Sequence, residues 1–308
     1  MRTKTLRGTV IFMTKKNRLR IIIVCAAAFI VALTAGYNIK YDPFGIVEGM
    51  KQLRYEEKTR VPILMYHNFG DEGLPEVTIS ADAFEIQIKA LADAGYTAVS
   101  FDALCDYVYN GAPLPERPVM ITIDDGYIGV YDIAYPILEK YGMTATVFII
   151  GVFHGKSLYK ENPYWQIIPH FGDAEAFEMA SSGALSIQSH SYDMHHYEPY
   201  EEVYRDGVLR MRRESRAAYI EAFTSDFESA AEQIKSITGT KPYVYAYPFG
   251  KHTRLSESLL KEMGVKVTLT TVSGVSVVGR GAPQSLFKLK RHNVSGNMTA
   301  EELLEKIA

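Results

Sequence analysis

From residue 61 to the end of the chain, short and nearly continuous apolar runs alternate with stretches whose apolar positions recur every three or four residues. The runs VPILMYH (61–67), YTAVS (96–100), PVMITID (118–124), TATVFII (144–150), LSIQSHS (185–191), YVYAYP (243–248) and VKVTLTTV (265–272) are rich in β-branched and aromatic residues. Such residues fit a pleated, buried surface. Between them, residues 81–94, FDALCDYVYN (101–110), YDIAYPILEKYG (131–142), 225–237 and 254–263 carry the helical period, and AEELLEKI (300–307) adds a last amphipathic helix. Strands that are apolar on both faces and separated by helices predict a parallel sheet covered on both sides. About seven of them over roughly 250 residues predict an α/β fold of the (β/α) barrel type. Residues 154–177 follow neither period and read as a long irregular insertion.

The start of the chain follows another pattern. Residues 1–20 hold seven basic side chains and no acid, and IIIVCAAAFIVALTAGYNI (21–39) has no charge before Lys40. A basic leader followed by about eighteen apolar residues predicts an N-terminal transmembrane helix, a signal-anchor that is not cleaved. The leader then lies in the cytoplasm and the bulk of the chain outside it. A cleavage site near residues 34–36 is the alternative. Residues 40–60 mix Pro, Gly and alternating charge and read as a linker, which leaves 61–308 as the folded domain. Without the leader, 26 basic residues face 36 acidic ones, a net of −10, and this excludes nucleic acid as a partner. Cys25 falls in the membrane segment and Cys105 stands alone, so no disulfide can form within the outer domain and any metal site there must use His and carboxylates.

In both barrels and open parallel sheets, function belongs at the carboxyl ends of the strands. The run PVMITID ends in two adjacent acids, Asp124 and Asp125, which would point to opposite faces of an uninterrupted strand. Gly126 allows a turn that brings both to one mouth, with an Asx-turn or helix cap as the structural alternative. A second strand ends in SHSYDMHH (189–196), with His190, His195 and His196 inside seven residues. Two histidines, a carboxylate and an open position form a donor set for catalytic zinc and related divalent ions. A third strand ends in YAYPFG, where the amide after Pro248, that of Phe249, is free to donate to an oxyanion.

Taken together, TIDDG, HSxxxH, YPFG, LMYH near the start and LKRHNV near the end resemble the polysaccharide deacetylase family of metal-dependent carbohydrate esterases. The resemblance covers nearly all of residues 61–308. It implies an irregular (β/α) barrel and the removal of acetyl groups from N-acetylglucosamine polymers such as peptidoglycan, chitin or poly-N-acetylglucosamine. It further implies Asp125, His190 and His195 as ligands of a divalent metal, zinc above all, and Asp124 as general base. The Phe249 amide would face the tetrahedral oxyanion. Tyr247, with Tyr127 and Tyr192, would offer a ring to the sugar. The general acid is open between His292 of LKRHNV and His67 of LMYH. Two family features are absent from their usual places: the arginine before the Pro turn, where Ala246 and Tyr247 stand, and an Asp-Trp pair, since Trp165 lies elsewhere. The basic run with Arg210, Arg212, Arg213 and Arg216 reads as a solvated helix face or as a surface that steers anionic polymer.

The expected protein is therefore a membrane-anchored, extracytoplasmic, metal-dependent N-deacetylase with a polysaccharide substrate. A non-catalytic glycan-binding protein on the same fold and a glycoside hydrolase are the alternatives. Hydrolases need carboxylates about 5–9.5 Å apart around the bond, which adjacent acids do not supply, and they leave the histidines without a task.

Overall fold

The computed structural model describes residues 57–71, 73–197, 201 and 203–308. The expected leader, membrane segment and most of the linker lie outside the described residues, among which no helix is long and apolar enough to cross a membrane. In chain order come β1 (Lys58–Val61), β2 (Ile63–Tyr66), β3 (Asn68–Phe69), β4 (Thr78–Ile79), α1 (Ala81–Asp93), β5 (Thr97–Ala98), α2 (Phe101–Asn110) and β6 (Pro118–Asp125). They are followed by α3 (Tyr135–Lys140), β7 (Ala145–Ile150), α4 (Asp173–Ser181), β8 (Leu185–Ser191), α5 (Arg216–Thr238) and β9 (Val244–Ala246). The last are α6 (Arg254–Glu262), β10 (Val267–Leu269), β11 (Ser276–Gly279), β12 (His292–Asn293) and α7 (Ala300–Ile307).

Seven parallel strands form one path in the order β10-β9-β8-β7-β6-β2-β12, and β5 pairs with the start of β6. The two ends of the path meet through the residues just before β12. The Leu289 amide donates to Thr268 O at 2.8 Å and the Thr270 amide donates to Leu289 O at 2.9 Å, while His292 pairs with Leu64 of β2. The sheet therefore curls into the expected barrel. All eight residues of β6 and all six of β7 are buried, as strands covered on both faces require.

Alternation along the strands sorts the core. Ile63, Met120, Phe148, Ala246 and Leu269 fill the inside of the curve. Leu64, Ile121, Ile123, Val147 and Ile187 face outward, toward residues of α1, α4 and α7. Tyr245 of β9 and Tyr247 just after it face outward with Tyr219, Phe223 and Phe227 of α5, each such side chain contributing about 1.5–3 kcal/mol on burial. Helices begin where a hydroxyl satisfies a free amide: Ser80, Ser100, Ser215, Thr253 and Thr299 each accept from the residue three positions on.

Three sequence boundaries need correction. The linker stops short of residue 60, because Lys58–Val61 pairs antiparallel with β11 as an edge ribbon. The irregular insertion ends at Gly172, where Glu175 reaches back to the Gly172 amide and starts α4. Helix α5 starts at Arg216 rather than near 225. The charged run before it hid the stripe Tyr219, Phe223, Phe227, and most of that run lies ahead of the helix rather than on its face.

Candidate active site

The polar residues singled out above gather where the barrel strands end. Asp124 continues the inward-facing set of β6 after Met120 and Thr122, and it meets a guanidinium there. Arg291 donates from both terminal nitrogens to the Asp124 carboxylate, at 2.6 and 2.7 Å, and its Nε donates to Thr270 O at 3.0 Å. Both side chains are buried, with Arg291 at 0 % exposure. Burial alone would raise the Asp124 pKa, but the Arg291 charge and hydrogen bonds, with smaller help from His190 and His67, hold it well below the usual carboxylate range. The arginine missing before the Pro turn is thus supplied by the approach to β12. The sign available in the sequence was a charged residue inside LKRHNV; what it lacked was any indication that this segment closes the barrel beside β6.

Asp125 would face outward if β6 ran on, in register with Ile149. Its backbone instead takes φ 74°, followed by Gly126 at φ 89°, so the turn begins one residue earlier than the glycine. The Asp125 Oδ1 atom consequently lies 3.6 Å from His190 Nε2 and 3.6 Å from His195 Nε2. The donors of a tetrahedral ion with bonds of about 2.0–2.2 Å stand about 3.3–3.6 Å apart, close to this spacing. His190 Nδ1 lies 2.8 Å from Ala246 O, a contact that places its proton on Nδ1 and leaves the Nε2 lone pair facing the acids. Burial pushes the His190 and His195 pKa values down to about 4 and about 3, so both rings are neutral at pH 7, as ligands must be. Asp125 Oδ1 is buried and has no hydrogen-bond partner, an unsatisfied acceptor of the kind a cation would occupy. The three residues therefore fit a divalent metal.

The five-residue step from His190 to His195 is held by an acid that the sequence did not reveal. Asp226, buried in the middle of α5, accepts from the amides of Tyr192 and Asp193 at 2.9 and 2.6 Å. Ser191, at φ 140°, accepts from the Met194 amide. Burial raises the Asp226 pKa to about 6 despite the two amide bonds. Asp125, Ser191 and Phe249 (φ 55°) are three of the six non-glycine positive-φ residues among the described residues, and all three border this cluster. Such strain costs about 1–3 kcal/mol per residue and tends to collect at functional sites.

Other candidates separate. His67 is at the mouth: it directly follows Tyr66, which pairs with Ile123, and so stands level with Asp124. His292 is not with them: it pairs in register with Leu64, an outward position, contacts Ser273 Oγ at 3.2 Å and feels Lys306 of α7. Alternation sends Arg291 inward and His292 outward. The Tyr247 ring is also excluded from sugar contact, because it is fully buried outside the barrel and donates to Glu257 at 2.7 Å. The turn after it is closed by the amides of Gly250 and Lys251, not by that of Phe249, and the half-exposed Phe249 ring packs at a tilt 4.2 Å from His195. Tyr127 packs 4.7 Å from His170, and Tyr192 is partly buried beside the loop. His196 forms a second acid-histidine group with Asp193 and Glu201. That group is already served: the Arg205 amide donates to His196 Nδ1, His196 Nε2 meets Asp193 O, and Lys160 pairs with both acids.

Comparison with known proteins adds four findings. The sequence model of a family described as polysaccharide deacetylase matches residues 111–268. The chain is 28% identical over 247 residues to YxkH of Bacillus subtilis (strain 168), covering 80% of this chain and 76% of that protein. It is 24% identical over 262 residues to the poly-beta-1,6-N-acetyl-D-glucosamine N-deacetylase of Escherichia coli (strain K12), covering 79% of this chain but only 38% of that protein. The fold is shared with a solved de-N-acetylase from Aggregatibacter actinomycetemcomitans, at TM-score 0.68 and 23% identity over 80% of this chain and 100% of that one.

Proposed function

The chain belongs to the polysaccharide deacetylase family and is a carbohydrate deacetylase, a hydrolase of linear amides, and from that premise we propose that it removes N-acetyl groups from a polymer of N-acetylglucosamine. The polymer is of the peptidoglycan or poly-N-acetylglucosamine type, and the E. coli relative favours the second. The N-terminal segment tethers the enzyme to the membrane with its catalytic domain outside the cytoplasm, a reading that rests on the basic leader and the apolar run.

The observation that carries the reading is the convergence of three ligand-type donors beside a carboxylate that an arginine keeps ionised. Asp125, His190 and His195 would hold a divalent ion, zinc by the nature of its donors. When bound, the ion would polarise the amide carbonyl and acidify a water enough for a carboxylate as weakly basic as Asp124 to take its proton. Asp124 is aimed by Arg291, and each of its oxygens keeps a lone pair beyond the one the guanidinium uses. His67 would return a proton to the leaving amine, since it follows Tyr66, which pairs with Ile123, and so stands at the strand end beside Asp124. The Phe249 amide would face the developing oxyanion, a contribution of about 3–4 kcal/mol where such donors have been removed.

The test is elemental analysis of the full chain in detergent, with acetate release from N-acetylglucosamine oligomers, peptidoglycan and acetylated xylan, beside Asp124→Asn. Metal in the protein, with acetate from a glucosamine-based substrate and loss of release in the variant, is the expected result. Bound metal with no acetate from any substrate refutes it.

A further inference from the structure

A cavity of 660 Å³ opens beside the strand ends, within the usual range of ligand sites, about 300–1,000 Å³. Its walls are the stretches that directly follow His67 and Asp125, together with the insertion after β7. These walls are braced in place. A side chain at Gly129 would come within 2.1 Å of Phe69 O, so the first two stretches touch through a glycine that cannot be enlarged. The Ile128 amide donates to Pro169 O at 2.7 Å, and the Ile167 amide donates to Ser157 O at 3.1 Å. Among the described residues no lysine, arginine or histidine lines the cavity, whereas Asp71 and Asp132 do, both exposed and with no ion-pair or hydrogen-bond partner for their carboxylates. Beside it, Leu158 and Gln166 bridge a small hairpin that presents Tyr164 at 90% exposure and Trp165 at 36%. Exposed aromatic faces next to a polar cleft suit the apolar faces of sugar rings.

We propose that this cavity is an accessory subsite for sugar units of the substrate polymer that already carry a free amine, so that the enzyme works preferentially next to earlier products. The inference rests on the deacetylase reading, since hydrolysis of an N-acetyl group leaves an amine that is cationic below its pKa. Two carboxylates without a counter-charge select such a unit over its neutral acetylated form, through attraction that salt weakens. Tyr164 serves both kinds of unit alike.

The full chain is titrated calorimetrically with a glucosamine oligomer, which has no acetyl to lose, and with its N-acetylated counterpart under metal-free conditions, at low and high salt. Acetate release from partly and fully acetylated oligomers is measured in parallel. The glucosamine oligomer should bind about tenfold more tightly at low salt, the size that two partly screened charge pairs give, and high salt should erase the difference. Asp71→Asn with Asp132→Asn should remove the preference and leave acetate release from the fully acetylated oligomer unchanged, whereas Tyr164→Ala should weaken both oligomers equally. Equal affinities in the wild type, a preference that survives in the double variant, or binding of calcium at these acids without discrimination between oligomers overturns the subsite. Failure of acetate release from every substrate overturns the deacetylase reading instead, and the binding comparison remains readable.

Discussion

Replacing Arg291 by methionine tests how the base is held. In the wild type the guanidinium is fully buried, makes two short bonds to Asp124 and a third to Thr270 O, and offsets the cost of burying the Asp124 charge. Methionine fills much of the volume but leaves a buried carboxylate without its counter-charge, an error that costs about 3–5 kcal/mol. For a folded unit of this size each kcal/mol moves Tm by about 2–4 °C, so the melting point should fall by about 6–20 °C at pH 7. The sign of the pH dependence follows from the depressed Asp124 pKa. The wild-type ion pair stabilises the fold above the ordinary carboxylate pKa, about 3.9, and this is lost as the pH falls toward the lower folded value. In Arg291→Met the dominant remaining influence is burial, which raises the pKa, and the acid limb of acetate release should move to higher pH. Adding Asp124→Asn to Arg291→Met removes the stranded charge and should recover most of the lost stability. Calorimetry on the three variants decides the matter. An Arg291→Met protein within about 1 kcal/mol of the wild type, or a double variant no more stable than the single one, would falsify the account of a charge-compensated base.

Further outcomes are expected. His195→Ala should abolish metal binding measured by elemental analysis, while His196→Ala should retain it, because both His196 nitrogens are engaged by the Arg205 amide and Asp193 O. Asp226 is raised from 3.8 to about 6, so between those values the folded chain binds a proton that the unfolded chain does not, and its contribution to stability increases on acidification by up to about 3 kcal/mol. Urea midpoints from pH 7 to 4 should therefore diverge in favour of wild type over Asp226→Asn, and a constant difference would contradict the assignment. Asp226→Asn should also weaken metal binding, since an amide cannot accept from both the Tyr192 and Asp193 N–H groups through two oxygens. Tyr247→Phe should lower stability by about 1–3 kcal/mol through the lost hydrogen bond to the Glu257 carboxylate, which keeps Thr268 and Lys261 as partners, and leave KM unchanged; a raised KM would return Tyr247 to the substrate site.

Element types were legible because burial on both faces writes continuous apolar runs, as in β6 and β7, and helices write the 3.6 period, as in α1 and α2. Boundaries were less so. The start of α5 is set by the cap at Ser215 and by packing against Tyr245, neither of which shows in a run dominated by arginines.

The sequence by itself determined the class of chemistry: which residue types stand at strand ends, that the acids are adjacent, and that two histidines follow on another strand. Those facts are local, and local pattern encodes them. Only the tertiary structure decided which residues share the mouth. Period-two alternation at β12 and after β9 turns Arg291 inward and sends His292 and Tyr247 out, a parity that depends on register with β2 and β8. Closure of the barrel brings Arg291 to Asp124 across 167 positions, and a mid-helix acid, Asp226, pins the loop that carries His195. A buried charge needs its partner in space rather than in sequence, and so the groups that hold this site came from segments whose local pattern announced only structure.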